Sequence, residues 1–242
     1  MSLPKNILTI YGRNPVIEAL ENEELKIYAL HLSTSNKPSP KLEKILSLAK
    51  KRDITIKYHS KKELSYISKN SRQDQGVALD IVLNNLTNLD YLKSLNKFRV
   101  LALDNITNPQ NLGMIIRSAT AGNIDAIILQ KRGNASLVSP LTIKASAGTL
   151  FKLPIIQVKS LYDSLKELQK VDAKVISLSL DAKDNFKDFI EPKRAIYVLG
   201  NESNGISKEI IELSDYKVKI IMNRGVESLN VAVTASLIAF YV

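Results

Sequence analysis

The 242-residue chain predicts an α/β protein in two parts: a larger parallel-sheet domain over residues 98–242 and a smaller N-terminal α/β domain over residues 1–84, joined by a linker at 85–97. Three observations lead there. Short apolar runs at 99–103, 124–129, 174–179, 195–199 and 217–222 alternate with helical patterns, as strands and crossover helices do in a parallel sheet. The polar stretch Asn84-Asn-Leu-Thr-Asn88 breaks the pattern and marks a boundary. Ahead of it stands a separate set of short strand and helix signals.

In the N-terminal part, Asn14 stands as a cap and Pro15 as the first residue of a helix reaching about Leu20. Strands fit Ile27–Leu32 and Ile54–Tyr58, with a helix between them from Pro40 to Arg52, and a further strand fits Gln75–Leu83. A short helix fits around Leu89–Leu95. Lys37, Lys41, Lys50, Lys51, Arg52, Lys57, Lys61, Lys62 and Arg72 could contact phosphates, although for any single lysine among them a solvated face is the better account.

In the C-terminal part, three strand-to-loop junctions carry the chemistry. The first is Leu101-Ala-Leu-Asp-Asn-Ile-Thr-Asn-Pro-Gln-Asn-Leu-Gly-Met-Ile-Ile-Arg-Ser-Ala119, a buried strand, a polar loop with Pro109, then a helix with Asn111 near its first turn. Arg117 follows six residues later amid Ile115, Ile116 and Ala119, so it must snorkel, find a partner or act on a ligand. At the second, Ala195-Ile-Tyr-Val-Leu-Gly-Asn-Glu-Ser-Asn-Gly-Ile-Ser207, the glycines are spaced as in a phosphate loop. Ile206 replaces that motif's lysine, so Gly200 is read as a close backbone approach to a ligand and Glu202 as a carboxylate at a strand end. In the third, an apolar strand ending at Met222 enters a turn around Gly225, and Ser228 stands where an N-cap belongs, with Asn230 in the helix mouth. Ligands of parallel sheets bind outside the carboxyl ends of the strands, where all three junctions fall.

Composition sets bounds. There are no cysteines, which excludes thiolate chemistry, and the two histidines, His31 and His59, lie far from the junctions, so no metal site is expected. Met1 to Ile10 holds no apolar stretch of signal-peptide length and no run reaches membrane-spanning length, so the expectation is a soluble intracellular protein. A net charge of +10 suits a polyanionic partner, but the excess is mostly lysine in a chain rich in asparagine and isoleucine, and genomic bias alone could give that.

The three junctions resemble the motifs of the SpoU family of RNA ribose 2′-O-methyltransferases, within the SPOUT superfamily. Asn-x-Gly-x-x-x-Arg stands here as Asn111-Leu-Gly-Met-Ile-Ile-Arg117; Gly-Asn-Glu with Gly-Ile-Ser as Gly200-Asn-Glu202 and Gly205-Ile-Ser207; and the last motif as Ile221-Met-Asn-Arg-Gly-Val-Glu-Ser-Leu-Asn-Val231. Tyr11-Gly-Arg-Asn-Pro-Val-Ile-Glu-Ala-Leu20 resembles the opening of the family's ribosomal-protein-like RNA-binding domain. Asp74-Gln75-Gly76 departs from the family's usual His-Gln-Gly and would set an acidic group near RNA.

The resemblance implies a C-terminal trefoil knot, which topology rules alone would not suggest, threaded by the segment from about Leu199 onward. It implies S-adenosylmethionine in that knot, lined by Leu199, Gly200, Ile220, Met222 and Leu229, with Lys144–Leu150 bordering the pocket. Arg117 would act on the ribose hydroxyl, with Asn111, Glu202, Ser228 and Asn230 positioning. No metal takes part. The implied protein is a cytoplasmic homodimer modifying RNA, ribosomal RNA first and a guanosine of the large-subunit RNA in particular. A tRNA ribose 2′-O-methyltransferase and a non-catalytic RNA-binding ribosome-assembly factor are the alternatives. The apolar terminal segment from Val231 to Val242, with the helix bearing Arg117, would supply the dimer interface unless both fill a monomer's core.

Overall fold

The computed structural model describes residues 7–23, 25–82, 85–179 and 181–241. Two units divide it, residues 1–84 with 138–144 and residues 85–137 with 145–242. The expectations placed on Leu83, Asn84, Val242 and residues 1–6 lie outside the described residues.

The first unit runs β1 (Ile7–Tyr11), α1 (Arg13–Glu21), β2 (Lys26–Ser33), α2 (Pro40–Lys51), β3 (Ile56–His59), α3 (Lys61–Ser68) and β4 (Val77–Val82). Its sheet has the order β1-β4-β2-β3, antiparallel except for the β2–β3 pair. Ser39 caps α2 by accepting from the Leu42 N–H, with Pro40 as first helical residue. Asn14 does not cap α1: the first intrahelical bond runs from the Val16 N–H to the Gly12 carbonyl, so Asn14 lies inside the first turn. Strand β1 and helix α3 were not read from the sequence.

Two polar residues of this unit turn out to be structural. Arg52 is committed to the carbonyls of Leu20, Asn22 and Leu25 at 3.0, 2.9 and 2.5 Å, which satisfies the end of α1 and removes it from the set of phosphate contacts. Asp74 is buried, accepting from Ser68 Oγ at 3.0 Å and the Gly76 N–H at 3.0 Å, so its carboxylate faces the chain and not a surface ligand.

The histidines, distant in sequence, meet on one sheet face. His31 Nε2 lies 3.0 Å from Asp80 Oδ2, His31 Nδ1 lies 2.9 Å from His59 Nε2, and Thr9 Oγ1 donates to Asp80 Oδ1 at 2.6 Å. A carboxylate only accepts, so a neutral His31 directs its single N–H to Asp80 and accepts from His59. Burial resists the ionised Asp80, yet the hydrogen bonds from His31 and Thr9 outweigh it and hold the carboxyl below its ordinary value.

The second unit continues with β5 (Leu86–Thr87), α4 (Leu89–Lys93), β6 (Phe98–Leu103), α5 (Pro109–Ala121), β7 (Ala126–Gln130), α6 (Pro140–Ser146), β8 (Ile155–Val158), α7 (Leu161–Gln169), β9 (Lys174–Leu178), β10 (Asp184–Asn185), β11 (Arg194–Leu199), α8 (Lys208–Leu213), β12 (Tyr216–Lys219) and α9 (Val231–Phe240). The start of α6 falls among the residues grouped with the first unit. Eight parallel strands follow the order β10-β12-β9-β11-β6-β7-β8-β5. Central β6 and β11 pair from Arg194↔Phe98 to Leu199↔Leu103 and are buried almost throughout, which is why they read as continuous apolar runs. Residues 85–97, read as a linker, carry β5 and α4, with Leu92 fully buried in the core beside Phe98 and Ile196.

Strand β12 stops at Lys219 and does not reach Met222. Its ladder to β9 ends at Val218↔Leu178, where β9 itself ends, so Ile220–Met222 leaves the sheet for want of a neighbour. Helices α5 and α9 pack together with Gly122 against Ala239, where a Cβ would stand 2.5 Å from the Ala239 carbonyl oxygen, so only glycine permits the contact. Ser118 and Ser236 hydroxyls meet at 2.7 Å along the same seam. Arg99 pairs with Glu191 at 2.7 Å and donates to the Tyr241 carbonyl at 3.0 Å, fastening the end of α9.

His59 gives the fold a pH dependence. Burial first, then the charges of His31 and Lys57 against an opposing Glu63, hold its imidazole below the ordinary value. Its stability contribution is therefore complete above the unfolded value of about 6.5 and falls as pH drops below it. Asp80 weakens the fold only at the lower pH where carboxylates titrate. Thermal unfolding followed between about pH 7.5 and 5.5 covers the range in which His59 contributes. The midpoint falls on acidification, and His59→Gln reduces that fall; an unchanged slope in the variant contradicts this account.

Candidate functional site

The three junctions leave the carboxyl ends of β6, β11 and β12. After β6, Asn108 caps α5 by accepting from the Gln110 N–H at 2.9 Å, with Pro109 as first helical residue. That places Asn111 one turn in and buries it to 8% exposure. After β11, residues 201–205 close on themselves: Asn201 and Gly205 exchange backbone hydrogen bonds of 2.9 and 2.8 Å. A Cβ on Gly200 would lie 2.2 Å from the Gly205 carbonyl carbon, so the close approach inferred at Gly200 is to the chain's own loop. After β12, residues 220–230 run irregularly, turning at Arg224 and Gly225 in left-handed conformations, to the start of α9. Asn230, not Ser228, caps that helix: its Oδ1 accepts from the Ala232 N–H at 2.8 Å. Ser228 lies two residues upstream, in the irregular segment.

One amide joins the junctions. Asn111 Nδ2 donates to Glu202 Oε1 at 2.6 Å, and Asn111 Oδ1 accepts from Asn230 Nδ2 at 3.1 Å. With Asn230 Oδ1 engaged as the cap, its amide orientation is fixed, and that in turn orients Asn111 so that its NH2 faces Glu202. Three residues from 119 positions of sequence separation thus form one directed chain of hydrogen bonds ending on a carboxylate.

Beside this chain lies a cavity of about 600 Å³, in the range of small-molecule sites. Leu199, Gly200, Ile220, Met222 and Leu229 line it, as do Glu202, Ser228 and Asn230. Ile220 and Met222 reach it because the chain has left the sheet there. Glu227 adds a second carboxylate to the lining and Lys219 a single ammonium. Asn111 touches the lining through its bonds to Glu202 and Asn230. The Lys144–Leu150 stretch contributes no lining residue.

Arg117 stands apart from the other expected residues. It is exposed on α5, does not line the cavity, and makes no hydrogen bond or ion pair among the described residues. The cost expected for a guanidinium in apolar surroundings is therefore not incurred within one chain. Met114, one turn before it, is also exposed, and Val233, Leu237 and Phe240 of α9 show the same exposure at helical spacing.

Several site residues were not read from the sequence: Asp104, Asn105 and Asn201, which tie the β6 and β11 loops together, and Glu227. The polar run Asp104-Asn-Ile-Thr-Asn108 after a buried strand was the available signal, but which members face inward depends on loop geometry. Among the described residues no group of three or more histidine, aspartate or glutamate side chains is placed to hold a metal ion.

Residues 99–240 match the SpoU rRNA Methylase family and residues 9–86 match the RNA 2′-O ribose methyltransferase substrate binding domain. The chain is 30% identical over 239 residues to a putative TrmH family tRNA/rRNA methyltransferase of Bacillus subtilis, covering 96% of this chain and 94% of that protein. It is 30% identical over 236 residues to a 23S rRNA (guanosine-2′-O-)-methyltransferase of Xylella fastidiosa, covering 96% and 94%. In fold it is similar to the SpoU methyltransferase AviRb of Streptomyces viridochromogenes, a structure in complex with the cofactor AdoMet, with a TM-score of 0.68 at 22% identity over 97% of this chain and 88% of that one.

The double duty of Asn230 can be separated. Asn230→Ala removes both cap and amide donor and lowers stability by about 1 kcal/mol. Asn230→Asp keeps an acceptor for the Ala232 N–H and recovers part of that loss in urea unfolding. Equal loss in both variants contradicts the capping role.

Proposed function

The chain belongs to the SpoU rRNA methylase family, and from that premise we propose that it transfers a methyl group from S-adenosylmethionine to a ribose 2′-hydroxyl of large-subunit ribosomal RNA, at a guanosine. The observation that carries this reading is the Asn230–Asn111–Glu202 chain at the mouth of the cavity. The name of the Xylella relative supports the guanosine and the ribosomal substrate; that of the Bacillus relative spans tRNA as well.

The cavity suits this cofactor. Leu199, Ile220, Met222 and Leu229 offer apolar walls for an adenine ring, backbone groups of the 199–206 loop offer its hydrogen bonds, and the Glu202 and Glu227 carboxylates favour a cationic sulfonium. Bound there, S-adenosylmethionine supplies an electrophilic methyl group. The protein's own residues then hold the 2′-hydroxyl in line and balance the charge it develops. Asn111, fixed from both sides, presents Glu202 at a set place, with Ser228 and Asn230 bordering the same opening. Alignment of this kind contributes several kcal/mol. Arg117 serves better as a charge-stabilising donor than as a base, since a guanidinium holds its proton.

Because Arg117 is exposed and away from its own cavity, its working position in this reading is the cavity of a second copy, in a homodimer packed through Met114, Val233, Leu237 and Phe240. The threaded C-terminal segment implied by the family, and a cytoplasmic location alongside ribosomal RNA, belong to the same proposal; no helix among the described residues is long and apolar enough to cross a membrane. The first unit docks the RNA.

Incubation with labelled S-adenosylmethionine and unmodified large-subunit ribosomal RNA, in EDTA after RNA folding, tests the reaction. Label recovered in 2′-O-methylguanosine supports it; label confined to tRNA moves the substrate, and label on a base overturns ribose chemistry. A mixing experiment tests the shared site. Arg117→Ala and Asn230→Ala, each inactive alone, regain activity when co-refolded, because a mixed dimer holds one site with both residues intact. Absence of recovery in a proven heterodimer places each site within one chain, and sedimentation as a monomer removes the dimer.

A further inference from the structure

A buried carboxylate and an amide that the reaction does not use hold the Glu202 loop from both ends. Asp104, directly after β6, is 2% exposed and has no cation paired with it among the described residues. Its Oδ2 accepts from the Ser207 N–H at 2.8 Å and its Oδ1 from Asn105 Nδ2 at 2.8 Å. A buried carboxylate costs folding free energy unless each oxygen is satisfied, and these two donors belong to different junctions. Asp104 thereby fastens the exit of the β11 loop at Ser207.

Asn201 fastens the entrance. Its Nδ2 donates to the Asn105 carbonyl at 2.9 Å, and its Oδ1 accepts from the N–H groups of Ser203 and Asn204 at 2.9 and 3.0 Å. Asn105 holds a left-handed conformation, φ 58°, which asparagine tolerates better than other L-residues apart from aspartate. That conformation accompanies both contacts, its carbonyl meeting Asn201 and its amide meeting Asp104. Between the two anchors lies Glu202, itself exposed, whose side chain among the described residues is held by the 2.6 Å hydrogen bond from Asn111 alone.

We infer that Asp104 and Asn201 are positioning residues: Asp104 directly at Ser207 and Asn201 through Asn105 fix the β11 loop on the β6 loop, so that the Glu202 carboxylate meets Asn111 and is held at the mouth of the cavity. This rests on the proposed methyl transfer for its kinetic consequence, but the positioning itself has a readout of its own.

Asn201 is the variant to test, because it is only half-buried, whereas loss of the buried Asp104 carboxylate could unfold the chain. Turnover at saturating S-adenosylmethionine on in-vitro-transcribed large-subunit ribosomal RNA is measured for Asn201→Ala, Glu202→Ala and the double variant, with the Asn111 side-chain amide followed by ¹⁵N NMR in each. Asn201→Ala lowers turnover about 10- to 100-fold alone, as misplacement of a positioned group does, and less than about 3-fold further in the Glu202→Ala background, since residues acting through one another are non-additive. The Asn111 amide resonance moves in Asn201→Ala toward its place in Glu202→Ala, and Asp104→Asn, if folded, follows the same pattern. Equal fold-losses in both backgrounds, or an Asn111 resonance unmoved by Asn201→Ala, overturn the inference. A wild-type protein that transfers no methyl group while the resonance shifts as expected sinks the proposed reaction and leaves the positioning standing.

Discussion

The Asn111 side chain is the constraint around which the site is built. Donating to Glu202 and accepting from Asn230, it joins the helix that follows β6 to the loops after β11 and β12. A buried amide needs its donors and acceptors met, so the three loops must arrive together or leave polar groups stranded. Two features far from the amide make the arrival possible. Gly122 lets α5 lie against Ala239 of α9, which sets Asn230 beside Asn111, and Gly200 lets the β11 loop fold tightly on itself, which sets Glu202. Each contact tolerates no Cβ, so both are matters of backbone approach and not of side-chain chemistry.

Electrostatics divide the molecule by task. A chain of net charge +10 keeps its cavity lined by Glu202 and Glu227 with Lys219 the single basic lining residue. An acidic pocket in a basic protein suits a cationic cofactor within and a polyanion outside. Arg117 lies outside its own pocket, exposed among apolar neighbours on α5. Among the described residues this guanidinium has no partner, and Met114 one turn away is exposed as well.

Much of this was legible in the sequence, for identifiable reasons. Strands β6 and β11 are buried on both faces, so they read as unbroken apolar runs, and the polar residues just beyond them had to be at the sheet's ligand-binding end. All five residues expected around the cofactor line the cavity. The cap of α9 was misplaced because Ser228 and Asn230 are both good caps two positions apart, and only geometry decides. β12 was read too long because Ile220 and Met222 are apolar where they line the cavity and do not belong to the ladder. Strands β5 and β10 span two residues each, too short for periodicity to register. The His31–His59 contact bridges 28 positions and depends on pairing of β2 with β3, which no local pattern announces.

The reliance of the site on one directed amide is open to a direct measurement, the turnover of Asn111→Asp. An aspartate at this position still accepts from Asn230 Nδ2 but meets Glu202 with a second carboxylate where the donor stood. Methyl transfer to ribosomal RNA is expected to fall at least about 100-fold, the scale of losing one preorganised polar contact at a reaction centre, with a lowered thermal unfolding midpoint because a second carboxylate is buried against Glu202, and the protein still folded at the assay temperature. Undiminished turnover in a folded Asn111→Asp protein would contradict it.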